Sequence, residues 1–350
     1  MAARIGRSGS APCRRPVAGV SRSVPAQDCS DPADGHHPSA QARTRRRDVL
    51  LRRYLRRILQ KAGWDIHRVV PAAPSTLDRV NVYHQNGRVP WSTGYQETRN
   101  LFVEEALHNT PLLEAFRRNE ALPSGYGTGI DERVVEYPWM YSRLPLGGGR
   151  VLDAGSVFNY DFLIALPLVR SKTLHILTLV PEGHCHCIHG VSHLYSDLRS
   201  IPIVSDYYDV VACISTLEHI GMDNTAFHAG VEDAPDDYLI AVREMRRVLR
   251  PRGECLLTVP FGRYANFGSF QLFDERLVEN VIAAFAPSHV EETYFRYTSQ
   301  GWRLSDSREC ADAEYVPWVM QSPKDRPTQF PVQPDNAAAA RAVACLRMTK

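Results

Sequence analysis

The run Asp209-Val210-Val211-Ala212-Cys213-Ile214 carries no charge after its first residue and leads directly into Ser215-Thr216-Leu217-Glu218-His219-Ile220-Gly221. A short run of this kind reads as a strand buried on both faces, which requires helices on both sides of a parallel sheet. In open α/β sheets ligands bind beyond the carboxyl ends of strands. The sudden polarity at Ser215, Glu218 and His219 therefore marks a candidate site.

The rest of the chain supports that class. From residue 149 short apolar runs alternate with helical patterns. Strands are predicted at 150–155, 174–179, 193–197, 209–214, 255–259, 289–297 and 342–348. The turn after the first strand should open a helix reaching Val169. A helix beginning at Asp236 and Asp237 carries an apolar stripe of Leu239, Val242, Met245, Val248 and Leu249, with Pro251 and Gly253 stopping it. Residues 274–285 form another. Strands alternating with helices predict a doubly wound α/β sheet.

Charge divides the chain unevenly. Residues 1–70 hold 15 Lys/Arg against 5 Asp/Glu, and the remainder holds 26 against 34. A nucleic-acid-binding core needs its basic residues on the folded domain, so nucleic acid is not an expected partner. Residues 1–48, rich in Arg, Ser, Pro, Ala and Gly, read as a disordered basic tail. Residues 49–70 read as an amphipathic basic helix. Apolar pairs at 50/51, 54/55 and 58/59 alternate with arginine pairs, and residues 50–59 could touch an anionic membrane surface or dock on the domain. Residues 71–148, with helix-like stretches at 96–108 and 111–118 and the aromatic pair Tyr137/Trp139, read as an N-terminal extension or cap on the domain at 149–350.

The 8 cysteines do not form a disulfide framework; Cys213, Cys255 and Cys345 sit in apolar runs as small hydrophobes. With neither a leader pattern nor a bilayer-length apolar stretch in view, a cytoplasmic setting is expected, with peripheral membrane contact through the basic helix as the variant. The cluster His184-Cys185-His186-Cys187, with His189 and His193, has zinc-ligand types. Neighbours one and two apart do not easily converge on one tetrahedral ion, so no metal is expected.

The first strand ends in Asp153-Ala154-Gly155-Ser156-Val157-Phe158. A glycine there permits a sharp turn, but a dinucleotide site needs two more glycines, and Val157 and Phe158 stand nearby instead. A Gly-Lys-Ser/Thr phosphate loop is also missing. A nicotinamide-dependent reductase is disfavoured, and a nucleoside ligand without phosphate remains.

Three motifs in this order and spacing carry a resemblance. They are Val151-Leu152-Asp153-Ala154-Gly155, then Tyr208-Asp209-Val210-Val211 running into Leu217-Glu218-His219-Ile220, then Met245 to Gly253 running into Leu257-Thr258-Val259-Pro260. The stretch 149–350 resembles class I S-adenosylmethionine-dependent methyltransferases, most of all the small-molecule branch called type 11. The resemblance implies a Rossmann-like seven-stranded sheet with its last strand antiparallel. It implies S-adenosyl-L-methionine as cofactor and methyl transfer by in-line displacement to a small-molecule, saccharide or lipid-linked acceptor.

The resemblance also implies contacts. Asp153, Ala154 and Gly155 would border the methionine part, Asp197 with Leu198 would meet the adenine, and Ile214 and Ser215 would line the cofactor. The acid normally found directly after strand two is absent; Glu182 is the nearest candidate for the ribose. His219 is a candidate general base for a hydroxyl acceptor. Each has a plainer alternative: Asp153 as a cap, Asp197 as a turn residue, Glu182 as a loop acid, His219 as a residue that fixes its loop. The thinned glycine loop also admits a degenerate protein of this fold that binds cofactor or partner without catalysis.

Overall fold

The computed structural model describes residues 74–183, 185–225, 230–316 and 331–350. The expected tail at 1–48 and basic helix at 49–70 lie outside them. Ten strands are described: β1 (Arg150–Ala154), β2 (Thr173–Thr178), β3 (Ser192–Tyr195), β4 (Tyr208–Ile214), β5 (Leu249–Pro260), β6 (Ala265–Asn266), β7 (Gln271–Leu272), β8 (His289–Thr298), β9 (Gly301–Ser305) and β10 (Ala342–Thr349). Eight make one sheet in the order β3-β2-β1-β4-β5-β10-β8-β9, and β6 pairs with β7. The pairs β2–β3, β1–β2, β1–β4 and β4–β5 are parallel. The carboxyl-terminal β10 runs antiparallel between β5 and β8.

This is the doubly wound, Rossmann-like sheet with an antiparallel last strand, and it carries one strand more than the expected seven. The eighth, β9, pairs back on β8 across the two-residue link Ser299–Gln300. Its Trp302 is buried, and the Trp302 Nε1–H donates to the Ile130 carbonyl at 2.9 Å. That bond ties the sheet edge to the N-terminal extension.

Strand β4 is buried on both faces, as its composition demands. Val210, Ala212 and Ile214 enter one core, and Val211 and Cys213 enter the other. The second core is closed by helices Tyr238–Val248 and Glu275–Phe285. The first is closed largely by the extension, through helices Tyr95–His108, Thr110–Arg118 and Arg133–Arg143. The residues from Ala73 to Lys350 thus form one compact unit.

Two local expectations change. The helix after β1 is broken into single turns, Asp161–Ile164 and Pro167–Arg170. Pro167 disfavours helical backbone at the residue before it, and Leu166 is extended at ψ 131°. Pro251 and Gly253 do not form a stop of their own. The preceding helix ends at Val248, and both residues lie within β5, where the register against β4 shifts between Tyr208 and Val210. Arg252 between them is left-handed, at φ 65°.

Candidate active site

A cavity of about 850 Å³ opens at the carboxyl ends of β1, β2, β3 and β4. That volume lies toward the upper end of the ~300–1,000 Å³ found for small-molecule sites. Of the residues expected from the sequence, Gly155, Glu182, Asp197, Leu198, Ser215 and His219 line it. Ile214 lines a recess of about 230 Å³ together with Gly155, Glu182 and Ser215. Asp153 and Ala154 are fully buried and line neither.

Asp153 shapes the site from beneath. Its carboxylate accepts the backbone N–H groups of Val157 (2.9 Å) and Phe158 (2.7 Å), holding the loop after β1 in a tight turn. Burial pushes its pKa up to about 7, against the opposing pull of those two N–H groups. Gly155, at φ 127°, lets this loop meet the loop after β4; a Cβ there would stand 2.0 Å from Thr216 Oγ1. The glycine serves the approach of two protein loops.

Asp197 is engaged from the protein side. Arg199 binds it through Nη2 (2.6 Å) and also reaches Glu232 and Asp237, both at 2.7 Å. Partial burial raises the carboxyl's pKa, and the Arg199 bonds outweigh that and hold it below the usual range. Glu182 accepts the Asn159 side-chain amide at 2.5 Å. Glu182 keeps lone pairs for a ligand, since a carboxylate accepts about four hydrogen bonds, whereas Arg199 alone makes four such contacts with Asp197 through its backbone N–H, Nε and Nη2.

The loop after β4 holds three polar groups in three different states. Ser215, left-handed at φ 39°, donates from Oγ to Glu136 Oε1 at 2.6 Å. His219 donates from Nδ1 to the Ser269 carbonyl at 2.7 Å, and burial depresses its pKa to about 4. The ring is neutral near pH 7 with its tautomer set by that carbonyl. Glu218 is buried, its pKa pushed well up by burial, and its Oε2 has no hydrogen-bond partner among the described residues.

The sequence reading missed what the extension contributes. Helix Arg133–Arg143 begins over the ends of β4 and β5. Glu136 on it is fully buried and accepts from both Ser215 and Thr258 (2.6 Å each), while Arg133 pairs with it at 2.6 Å. Hydrogen bonds to charged groups contribute about 1.5–3 kcal/mol each, so this one carboxylate fastens the extension to the sheet. Arg133 lines both the cavity and the recess, and Asp131 and Glu132 line the cavity beside it. A signal was present: Asp131-Glu132-Arg133 and Glu136 stand in a segment otherwise apolar and aromatic, where charge without purpose is costly.

Neither a protein-family model nor a curated protein matches the chain. Solved structures do. One is a Burkholderia thailandensis 1,6-didemethyltoxoflavin-N1-methyltransferase with S-adenosylhomocysteine bound, at 14% identity and TM-score 0.36, over 81% of this chain and 98% of that one. A second is an S-adenosylmethionine-dependent methyltransferase from Methanosarcina mazei, at 10% identity and TM-score 0.35, over 60% and 96%. A third is the [4+2]-cyclase SpnF, at 17% and 0.35, over 67% and 80%. Likenesses this distant leave the site's chemistry to its own geometry.

The histidine–cysteine segment forms the loop between β2 and β3, and His184 lies outside the described residues. Cys185 and Cys187 are exposed, with their sulfurs 2.8 Å apart. His186 is buried, its backbone N–H donating to His193 Nε2 at 3.2 Å. Among the described residues, no three His, Cys, Asp or Glu side chains are grouped as metal ligands. Nor, among them, is any helix long and apolar enough to cross a membrane.

Proposed function

We propose that this chain transfers a methyl group from S-adenosylmethionine to a small-molecule acceptor. The observation that carries the reading is a cavity at the ends of β1–β4 whose cofactor wall is acidic, with Glu182 and Asp197 on it. Such a wall repels phosphate and suits the amino and hydroxyl donors of a nucleoside without one.

The residues present fit that cofactor. Asp197 would exchange one of its Arg199 bonds for the adenine amino group, with Leu198 against the ring, and Glu182 would accept the ribose hydroxyls. Arg133 would take the methionyl carboxylate in the recess, where Gly155, Ile214 and Ser215 also stand. When bound, the cofactor supplies an already activated methyl carbon. The protein's part is alignment and exclusion of water. His219 fits the role of a residue that fixes its loop through Ser269, because a pKa of about 4 makes its ring a weak base at neutral pH.

Binding tests the reading. At ~100-fold excess over its dissociation constant, S-adenosylhomocysteine should stabilise the purified chain by about 2.7 kcal/mol in thermal unfolding, and NAD should not. A shift with NAD and none with either sulfur ligand would sink it. Comparing metabolites of a knockout with wild type, in search of a species lacking one methyl, would then find the acceptor.

A further inference from the structure

The cavity has a second half that the cofactor reading leaves unused. Its charges do not cancel. Arg99 pairs with Asp131 at 3.1 Å and Arg133 with Glu136 at 2.6 Å. Two carboxyls remain, Glu132 and Glu218, 6% and 3% exposed, and both line the cavity. Glu132 accepts the Ala340 backbone N–H at 3.1 Å, while Glu218 Oε2 has no partner among the described residues. A buried carboxyl without a partner is costly as an anion and is held neutral until a cation arrives.

Aromatic groups stand around this end. Phe270 lies against His219, with ring centroids 5.8 Å apart, and Tyr315 lies against Phe270 at 4.7 Å. Tyr315 is close enough to Glu132 and Glu218 for both to bear on its hydroxyl. Trp91 lines the same cavity, anchored by its Nε1–H on the Ala338 carbonyl at 2.7 Å. Aromatic faces beside uncompensated carboxyls suit an organic cation.

We propose that this half of the cavity takes an amine-bearing acceptor with an aromatic body, its ammonium paired with Glu218 and its ring seated among Phe270, Tyr315 and Trp91. The inference rests on the methyl-transfer reading, because it names the acceptor of that same site. In binding, the ammonium proton stays on nitrogen and Glu218 releases its own proton to solvent.

The test uses three probes of nearly one shape: phenethylamine, 2-phenylethanol and phenylacetate, titrated into the full chain saturated with S-adenosylhomocysteine. Phenethylamine should bind tighter than either other probe by about tenfold or more, the worth of a charge-assisted bond in a desolvated site. Glu218→Gln, which keeps the shape, should abolish that preference and leave S-adenosylhomocysteine affinity unchanged. Absence of a preference for the amine, whether all three probes bind alike or none binds, overturns the proposal. So does tighter binding of the alcohol, which would make Glu218 a donor to a neutral oxygen. A Glu218→Gln variant that loses affinity for S-adenosylmethionine but not for S-adenosylhomocysteine also overturns it, by assigning the carboxyl to the sulfonium. Failure of S-adenosylhomocysteine to bind wild type would instead strike the methyl-transfer reading, and the probes can still be titrated without it.

Discussion

The end of β1 and the loop after β4 each bury a carboxyl and use it in opposite ways. Asp153 accepts two backbone N–H groups and does not reach the cavity. Glu218 lines the cavity, with one oxygen unpartnered among the described residues. Burial raises the pKa of both. A satisfied buried acid holds backbone in place; an unsatisfied one is an unfilled hydrogen-bonding position. The pair shows why residue type and burial alone do not assign a role, and why the partner count does.

The largest effect that sharpens this contrast should come from Asp153→Ala. It strands two buried donors, so urea unfolding should show a loss of about 3 kcal/mol, and S-adenosylhomocysteine affinity should fall with the loop. Equal stability in the variant would mean that the turn holds itself. Gly155→Ala should follow, at about 2 kcal/mol, because alanine is strained at φ 127° and its Cβ meets Thr216. Chemical denaturation of the Gly155→Ala/Thr216→Ser pair checks it: removing the threonine methyl should relieve only part of the cost.

Glu218→Gln should behave in the opposite sense. Its carboxyl's pKa is raised in the folded chain, so the native state binds more protons than the unfolded one above the ordinary carboxyl range. Its contribution is present at low pH and is lost as pH rises. The variant should therefore match wild type near pH 4 and become progressively more stable than it toward pH 8. His219 slopes the other way. Its pKa is lowered from 6.5 to about 4, so its contribution is present above 6.5 and is lost as pH falls through 4. His219→Asn should flatten the acid limb of a stability–pH curve; an unchanged limb would break the assignment. The smallest effect belongs to Arg199→Ala. Its partly exposed ion pairs contribute less than ~1 kcal/mol to stability. Calorimetry should still detect a change in S-adenosylhomocysteine affinity, because Asp197 is freed from Arg199.

Much of this was legible in the chain. The strands at 150–155, 174–179 and 209–214 announce themselves because parallel strands inside a doubly wound sheet have few polar choices. Strand β9 did not, since Gly301-Trp302-Arg303-Leu304-Ser305 is short and is completed by a hydrogen bond to Ile130, far away in sequence. The helical stretch after β1 follows the apolar spacing only in part, because Pro167 breaks it at Leu166. The sequence marks residues 71–148 as an extension or cap without placing Arg133 and Glu136 in the site.

The sequence by itself determined the sheet, the absence of the glycine patterns for phosphate, and the place where polar residues gather at strand ends. Those follow from local rules: period, side-chain branching and glycine spacing. Only the tertiary structure decided that Asp153 braces a loop, that Asp197 is engaged by Arg199, that His219 is a neutral ring held by Ser269, and that a buried oxygen of Glu218 has no hydrogen-bond partner among the described residues. The physical reason is that a polar side chain's role depends on what meets it after folding, and those partners lie tens of residues away in the chain.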